Sequence, residues 1–429
     1  MLDTLPLELA TEIFISTLDS DISDERLVSQ LDAEFLLEDG RVNDRPSPTS
    51  GPLLLAQICQ AWRRVALSTP QLWSNLVLCE AHASNPNLAL IEQWLERAPL
   101  VSLSVWANPI PDTILDLISR HRTKWKVLTF QCLGGSAFEL SRINPAGGFP
   151  SLRELVINKS DQGVNTIQSF RDAPQLQEFH LLGCFSFLTA IRIPWAQITH
   201  FSCSIPSVDA TQFLHILKST PNLVCAVFRT TSWSPGNMIP PLLRLKSLTL
   251  TSHELHGFAP ATVLRYLTLP ALQTLHVGIT GFRHSQIEML LAFLTRSSCQ
   301  LVSFAVVREA LLEPFIPCLE AMPTVSSLRL TILSSEEDGS QFLQRLRDDA
   351  SFLPRLEDLT IVSNGRLLFP YDLLLETIRA RTGLVQLRRF ALLWTSHPGR
   401  FYSPDAPLER QLRETGVDIH FGPYDDVWP

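Results

Sequence analysis

One phrase of hydrophobic and polar positions returns along most of the chain: an apolar residue, two variable ones, an apolar residue, one variable, an apolar residue. Clear copies are Leu152-x-x-Leu155-x-Ile157, Leu176-x-x-Phe179-x-Leu181, Ile198-x-x-Phe201-x-Cys203, Leu245-x-x-Leu248-x-Leu250 and Leu272-x-x-Leu275-x-Val277. The series continues through Leu301-x-x-Phe304-x-Val306, Val325-x-x-Leu328-x-Leu330, Leu356-x-x-Leu359-x-Ile361 and Leu387-x-x-Phe390-x-Leu392, with weaker copies beginning at Leu100, Trp125 and Leu223. Alternation at the end of each phrase predicts a short strand with one face in a core. Between strands, Ile287, Leu290, Leu291 and Leu294, and again Leu374, Leu375 and Ile378, keep helical spacing. Pro150, Pro174, Pro221, Pro270, Pro323 and Pro354 each stand two residues before a phrase. Their fixed φ and missing donor should stop the preceding helix and begin the turn into the strand.

The first 78 residues follow another pattern. Leu5, Leu9 and Ile13 form an i, i+4, i+8 stripe, with Pro6 suited to a first helical turn. A second helix is predicted over 53–66, carrying Leu54 or Leu55, Ile58, Trp62 and Val65 at helical spacing, and Pro70–Trp73 reads as a short third turn. Between the first two helices lies an acidic, polar insertion (18–51) ending in a Pro/Ser-rich stretch, which predicts a loop. Residues 79–99 read as a connecting helix. The chain closes with a strand over 416–421 and a polar-aromatic tail, 422–429.

These residues carry two resemblances. The repeated phrase, at the spacing of about 20–29 residues typical of leucine-rich repeats, resembles that family over 100–421, although later steps such as Leu328 to Leu359 run longer. It implies an α/β solenoid, a curved parallel sheet with helices on its convex side, stabilised by stacking because no strand-helix unit buries its apolar face alone. The polar position that closes each turn in the regular form is uneven here, so an unbroken asparagine ladder is not expected. The second resemblance rests on Leu5-Pro6-x-Glu8-Leu9, Ile58-Cys59-x-x-Trp62-Arg63 and Pro70-x-Leu72-Trp73, in that order. Together they resemble an F-box, most closely the F-box-like proteins of mushroom-forming fungi, with a longer loop between the first two helices. This three-helix module implies docking to a Skp-type adaptor and through it to a cullin. By position, Leu5, Pro6, Leu9, Ile13, Leu54, Leu55, Ile58, Cys59, Trp62, Leu72 and Trp73 would make or support the adaptor interface. The competing role for Leu9, Ile13, Trp62 and Trp73 is packing as an N-terminal cap on the repeats; one helix can do both.

Composition narrows the function without naming it. A net charge of −8, gathered largely between Asp19 and Asp44, argues against nucleic-acid binding. Eight scattered cysteines without a Cys-x-x-Cys pair predict reduced core thiols in a cytoplasmic or nuclear protein, not a zinc site. No apolar run is long enough to span a membrane and no basic leader precedes the first helix. Nucleophile-elbow, Walker and His-Glu-x-x-His patterns are missing, so neither catalytic residues nor a cofactor are expected, and a hydrolase or transferase on a doubly wound sheet is the weakest reading. Function should lie on the strand face opposite the core. There the register places Glu154, His180, His200, Ser202, Thr249, His276, Arg329 and Thr360 as candidate target-binding residues. The expected function is a substrate-receptor subunit of a ubiquitin ligase; the alternative is an F-box scaffold that acts without ubiquitylating a target.

Overall fold

The computed structural model describes residues 9, 11–15, 52–78, 87–106, 110–132, 138–144, 146–159, 166–183, 190–204, 210–229, 242–251, 260–278, 284–310, 315–332, 336–363, 370–384, 387–394 and 406–423. The chain divides into two units, Met1–Ile205 and Pro206–Pro429.

In the first unit the strands are β1 (Asn75–Leu78), β2 (Val101–Trp106), β3 (Trp125–Cys132), β4 (Glu154–Lys159), β5 (Glu178–Gly183) and β6 (His200–Ser204). Each pairs in parallel with the next in sequence. The register aligns the phrase: Leu103, Leu128, Leu155, Phe179 and Phe201 form one line across the sheet, each at most 1% exposed. The second unit contains β7 (Cys225–Arg229), β8 (Ser247–Thr251), β9 (Thr274–Gly278), β10 (Ser303–Ala310), β11 (Ser327–Ile332), β12 (Asp358–Ser363), β13 (Arg389–Trp394) and β14 (Asp418–Pro423). They again pair in parallel with successive neighbours, aligning Ala226, Leu248, Leu275, Phe304, Leu328, Leu359, Phe390 and Ile419. Parallel order without crossover is the arrangement of leucine-rich repeats, and neither unit has the reversed strand order of a doubly wound fold.

The length of each step decides what joins the strands. Ser327 and its register partner Asp358 leave room for the helix Glu336–Asp348, and Asp358 and Arg389 for the helix Tyr371–Leu384. Glu178 and His200 are closer in sequence, and the described part of their connection consists of a helical residue at Ala190, a parallel bridge at Ile191 and a 3-10 turn, Trp195–Gln197. The prolines do something more specific than stop helices. Each occupies the second position of a turn closed by the N–H of the first apolar residue of the phrase: Leu152 to Phe149 O, Leu176 to Ala173 O, Leu223 to Thr220 O, Leu272 to Leu269 O, Val325 to Met322 O and Leu356 to Leu353 O. Proline presets φ at this position.

Side chains from one repeat also donate to carbonyls of the repeat before it. Lys124 Nζ reaches Ala98 O (2.9 Å), and Gln197 Nε2 reaches Ala173 O and Leu176 O. In the second unit the Arg296 guanidinium holds Leu264 O and Leu267 O. Arg381, only 3% exposed, donates to the carbonyls of Leu346, Asp349, Phe352 and Leu353. The Arg381 bonds fix a turn in which Leu353 holds a left-handed φ of +50°, a conformation costly for a branched residue. Burial holds the Arg381 guanidinium below its ordinary pKa, partly offset by Asp349. Gly148 shows the tightest approach between repeats. At φ +57° its missing Cβ would stand 2.1 Å from Asp172 O, so only glycine fits.

The strands begin earlier than the boundary at residue 100 suggests. Trp73-x-x-Leu76-x-Leu78 is itself a copy of the phrase, with Pro70 ahead of it, and Leu76 and Leu78 are buried. The helix predicted over 53–66 is two helices, Pro52–Ile58 and Gln60–Ser68. Cys59 between them is extended (φ −157°, ψ 171°), and its Sγ accepts from Trp62 N at 3.4 Å, capping the second helix.

Candidate functional site

Two surfaces hold the residues that the sequence singles out. The first is the helical module. Residues 11–15 are helical, and Phe14 is buried with its ring 4.9 Å from that of Trp62. Thr11 and Thr69 hydroxyls stand 3.5 Å apart, so this helix lies against Gln60–Ser68. The remaining apolar residues face outward. Leu9 is 51% exposed, Ile13 45%, Leu54 48% and Ile58 54%. Leu55 and Trp62 are half-buried and Cys59 is exposed. Leu5 and Pro6 lie outside the described residues, as do the acidic insertion and the residues after Pro423.

Leu72 and Trp73 behave differently from the other residues matched to the F-box pattern. They are 4% and 1% exposed and form the core of the first repeat. Trp73 Nε1 donates to Ala66 O at 2.8 Å, and Trp94 packs edge-on against its ring at 4.8 Å while donating to Trp73 O. The Arg97 guanidinium lies over the same ring. These two residues hold the helices against the repeats and present no surface to a partner. The sequence offered a signal for this role, since Trp73 is the first apolar residue of an unrecognised copy of the phrase.

The second surface is the strand face opposite the core. In the first unit, Glu154, Glu178 and His200 are register neighbours on β4, β5 and β6, and Val156, His180 and Ser202 form the next row. The His180 Nε2 stands 3.8 Å from Glu154 Oε1, both side chains being 16% exposed. Among the described residues neither His180 Nδ1 nor Ser202 Oγ has a hydrogen-bond partner, although both atoms are buried. Burial, with a smaller push from His200, holds the His180 imidazole down at about 4, so it is neutral at pH 7. Thr199 Oγ1 lies 3.0 Å from His200 Nδ1.

Glu154, His180 and Ser202 have the residue types of a nucleophile relay, but not its geometry. The Ser202 hydroxyl makes no hydrogen bond to the imidazole and is sealed from solvent at 3% exposure, and an imidazole with a pKa of about 4 is a poor base at neutral pH. What remains is a polar row on the strand face in which the Glu154 and His180 side chains are each 16% exposed.

In the second unit Thr249 and His276 are register neighbours, as are Arg329 and Thr360, all half-buried. Charges alternate in the adjoining row, where Arg389 Nε is 3.7 Å from Asp418 Oδ2 and Arg389 pairs by register with Asp358. Further along, this face ceases to be polar. Val362, Ala391 and Leu393 form a cluster no more than 2% exposed. The candidate residues named from the sequence on this face are nearly all polar, and an apolar cluster there was not among the expectations. The runs Ile361-Val362 and Ala391-Leu392-Leu393 carry the missed signal, because strands buried on both faces lose their alternation.

No group of three or more His, Cys, Asp or Glu side chains among the described residues is arranged to hold a metal ion. Burial raises the thiols of Cys203 and Cys318, the latter to about 12, which keeps both protonated. No helix among the described residues is long and apolar enough to cross a membrane.

No protein-family model matches the chain, and no curated protein matches it. Among solved structures, the chain is similar to the leucine-rich repeat-containing protein LegL7 from Legionella pneumophila. That match has 13% identity and a TM-score of 0.31, covering 66% of this chain and 95% of that one.

Proposed function

We propose that this chain is the target-holding subunit of a Skp-cullin-F-box ubiquitin ligase, of the type that mushroom-forming fungi possess in large numbers. Its N-terminal helices dock a Skp-type adaptor, which connects it to a cullin. The second strand face holds a protein target, and the ligase acts by proximity in the cytoplasm or nucleus. The chain itself makes and breaks no bonds. The observation that carries this reading is the outward apolar set Leu9, Ile13, Leu54 and Ile58 on short helices whose other side is already packed through Phe14 and Ala66. Covering each half-exposed side chain would stabilise a complex by roughly 1 kcal/mol. Small helical modules of this kind commonly depend on a partner.

Co-expression of the full chain with a Skp-type adaptor tests the proposal. The wild type should co-purify with adaptor and cullin, and Leu9→Asp with Ile58→Asp should abolish both without unfolding the repeats. Failure of the wild type to bind the adaptor would leave the helices as a cap and end the ligase reading. Retention of the adaptor without cullin would favour the scaffold alternative.

A further inference from the structure

We infer that β14 is a docking edge for a second copy of this chain, which adds its own β14 antiparallel across a twofold axis at His420. Arrays of stacked repeats need their ends covered. The first strand, β1, has the helical module beside it through Trp73, whereas β14, the last strand of the second unit, pairs only with β13 among the described residues. Its core positions show the shortfall. Leu359 and Phe390 on one line of the phrase, and Ile361 and Leu392 on the next, are at most 7% exposed. Ile419 and Phe421 extend those two lines and stay partly exposed. The backbone is equally open. Asp418 N–H bonds Arg388 O, so the alternation of a parallel ladder turns Asp418, His420 and Gly422 toward β13. The N–H and C=O groups of Ile419 and Phe421 then point away from it. Edges of this kind are usually blunted by lysine, proline or a bulge. β14 carries no lysine or arginine, and its proline, Pro423, stands beyond Phe421.

What selects a second copy as the occupant is that this edge is complementary to itself. A twofold axis at His420 sets Ile419 opposite Phe421 of the other copy, and Phe421 opposite Ile419 of the other copy. These are the residues whose backbone groups point outward, so each facing pair exchanges two hydrogen bonds. Both core lines then continue with an apolar residue across the axis, while Phe421 still rests on Phe390 and Tyr371 of its own chain. On the second face, Asp418 comes opposite Gly422 of the other copy. A Cβ at Gly422 would stand 2.7 Å from His420 Nε2, so the imidazole of the same strand lies over that glycine. Each Asp418 carboxylate, 68% exposed and 3.7 Å from Arg389 Nε, thereby meets the imidazole of the other copy, and the symmetry makes that contact twice. One strand pair and its flanks cover less than the roughly 800 Å² per partner of a standard interface, so the dimer is weak, with a Kd of about 10 μM.

Sedimentation equilibrium of the full chain from about 2 to 200 μM tests the inference, together with cross-linking. The wild type should pass from monomer to dimer over that range. His420→Glu places a carboxylate opposite its own copy and beside Asp418 of the other chain, and should weaken the dimer at least tenfold; Asp418→Asn should weaken it about threefold. His420→Cys gives a positive signal that does not depend on a loss. Partners facing each other without hydrogen bonds bring their Cβ atoms to about 4.5–5.5 Å, close to what a disulfide spans. Oxidised glutathione should therefore link His420→Cys into a dimer, beyond any linkage in the wild type. Asp418→Cys should stay unlinked, because the axis holds the two copies of position 418 about 13 Å apart. A wild type that remains monomeric at the highest concentration overturns the inference. Deleting 424–429 then identifies the occupant: a dimer that appears only on deletion means that the chain's own tail holds the edge, and a persistent monomer leaves the edge to an extended segment of another protein. A dimer that survives His420→Glu and gives no disulfide in His420→Cys forms elsewhere, and equally overturns the inference.

Discussion

The strand repeats and the N-terminal helices use the same apolar residue types and treat them in opposite ways. In the repeats, Leu155, Phe179, Leu275 and Leu328 are at most 1% exposed, because each strand-helix unit is closed by the units on either side. In the helices, Leu9, Ile13, Leu54 and Ile58 remain about half exposed although Phe14 and Trp73 nearby in sequence are sealed. Stacking completes a repeat from within the chain. The helical module has a repeat core on one side through Trp73 and nothing equivalent among the described residues for its outward set. Apolar residues buried by neighbours should govern stability, and those left outward should govern association.

The sharpest way to break that contrast is to truncate a sealed residue. Phe179→Ala removes a ring in contact with Trp195 and Phe201 and should lower stability in urea by about 3–5 kcal/mol. A loss near zero would mean that the stack tolerates cavities and that burial does not distinguish the regions. Next in size, Arg381→Ala removes the guanidinium shared by four carbonyls, two of which keep a backbone donor, and should cost about 2–3 kcal/mol by the same measurement. The His180 imidazole gives a comparable effect that depends on pH. Its folded value of about 4 lies below the ordinary 6.5, so unfolding takes up a proton between those limits. Stability is therefore full above pH 6.5 and declines as pH falls toward 4, by up to about 3 kcal/mol. The decline should flatten in His180→Asn, as followed by thermal melts at several pH values. The smallest expected effect on stability belongs to Leu54→Asp on the helical module, within about 0.5 kcal/mol. The same substitution should nevertheless reduce adaptor capture strongly.

Much of the repeat architecture was legible because its signal is physical and redundant. Alternation, period and proline all mark the same strands, so β4, β5, β9 and β12 fall where the phrase places them. What escaped was whatever departed from the phrase. Trp73 opens a copy of it but looked like the end of a helix, so the first strand was read too late. Cys59 interrupts a helix whose apolar spacing continues across the break, because a thiol cap leaves no mark on hydrophobic periodicity. The cluster of Val362, Ala391 and Leu393 was visible only as lost alternation. On β4–β6, the sequence could place Glu154, His180, His200 and Ser202 on one face. It could not show that two of their polar atoms are buried without partners, since that depends on side-chain geometry across three strands.

The bonds from Lys124, Gln197, Arg296 and Arg381 all run in one direction, from a later residue to carbonyls made earlier. A chain synthesised from its N-terminus therefore completes the turn around Phe352 only after Arg381 has left the ribosome. Until then the turn has only its backbone bonds, Phe352 N to Asp349 O and Leu356 N to Leu353 O, and Leu353 holds its left-handed conformation without the guanidinium that braces it. Growth of the repeats is thus a lagging process, in which the most recently made repeat is always the least settled. A translational pause just before such a donor would hold the preceding repeat open to chaperones and proteases, and one just after it would let that repeat close.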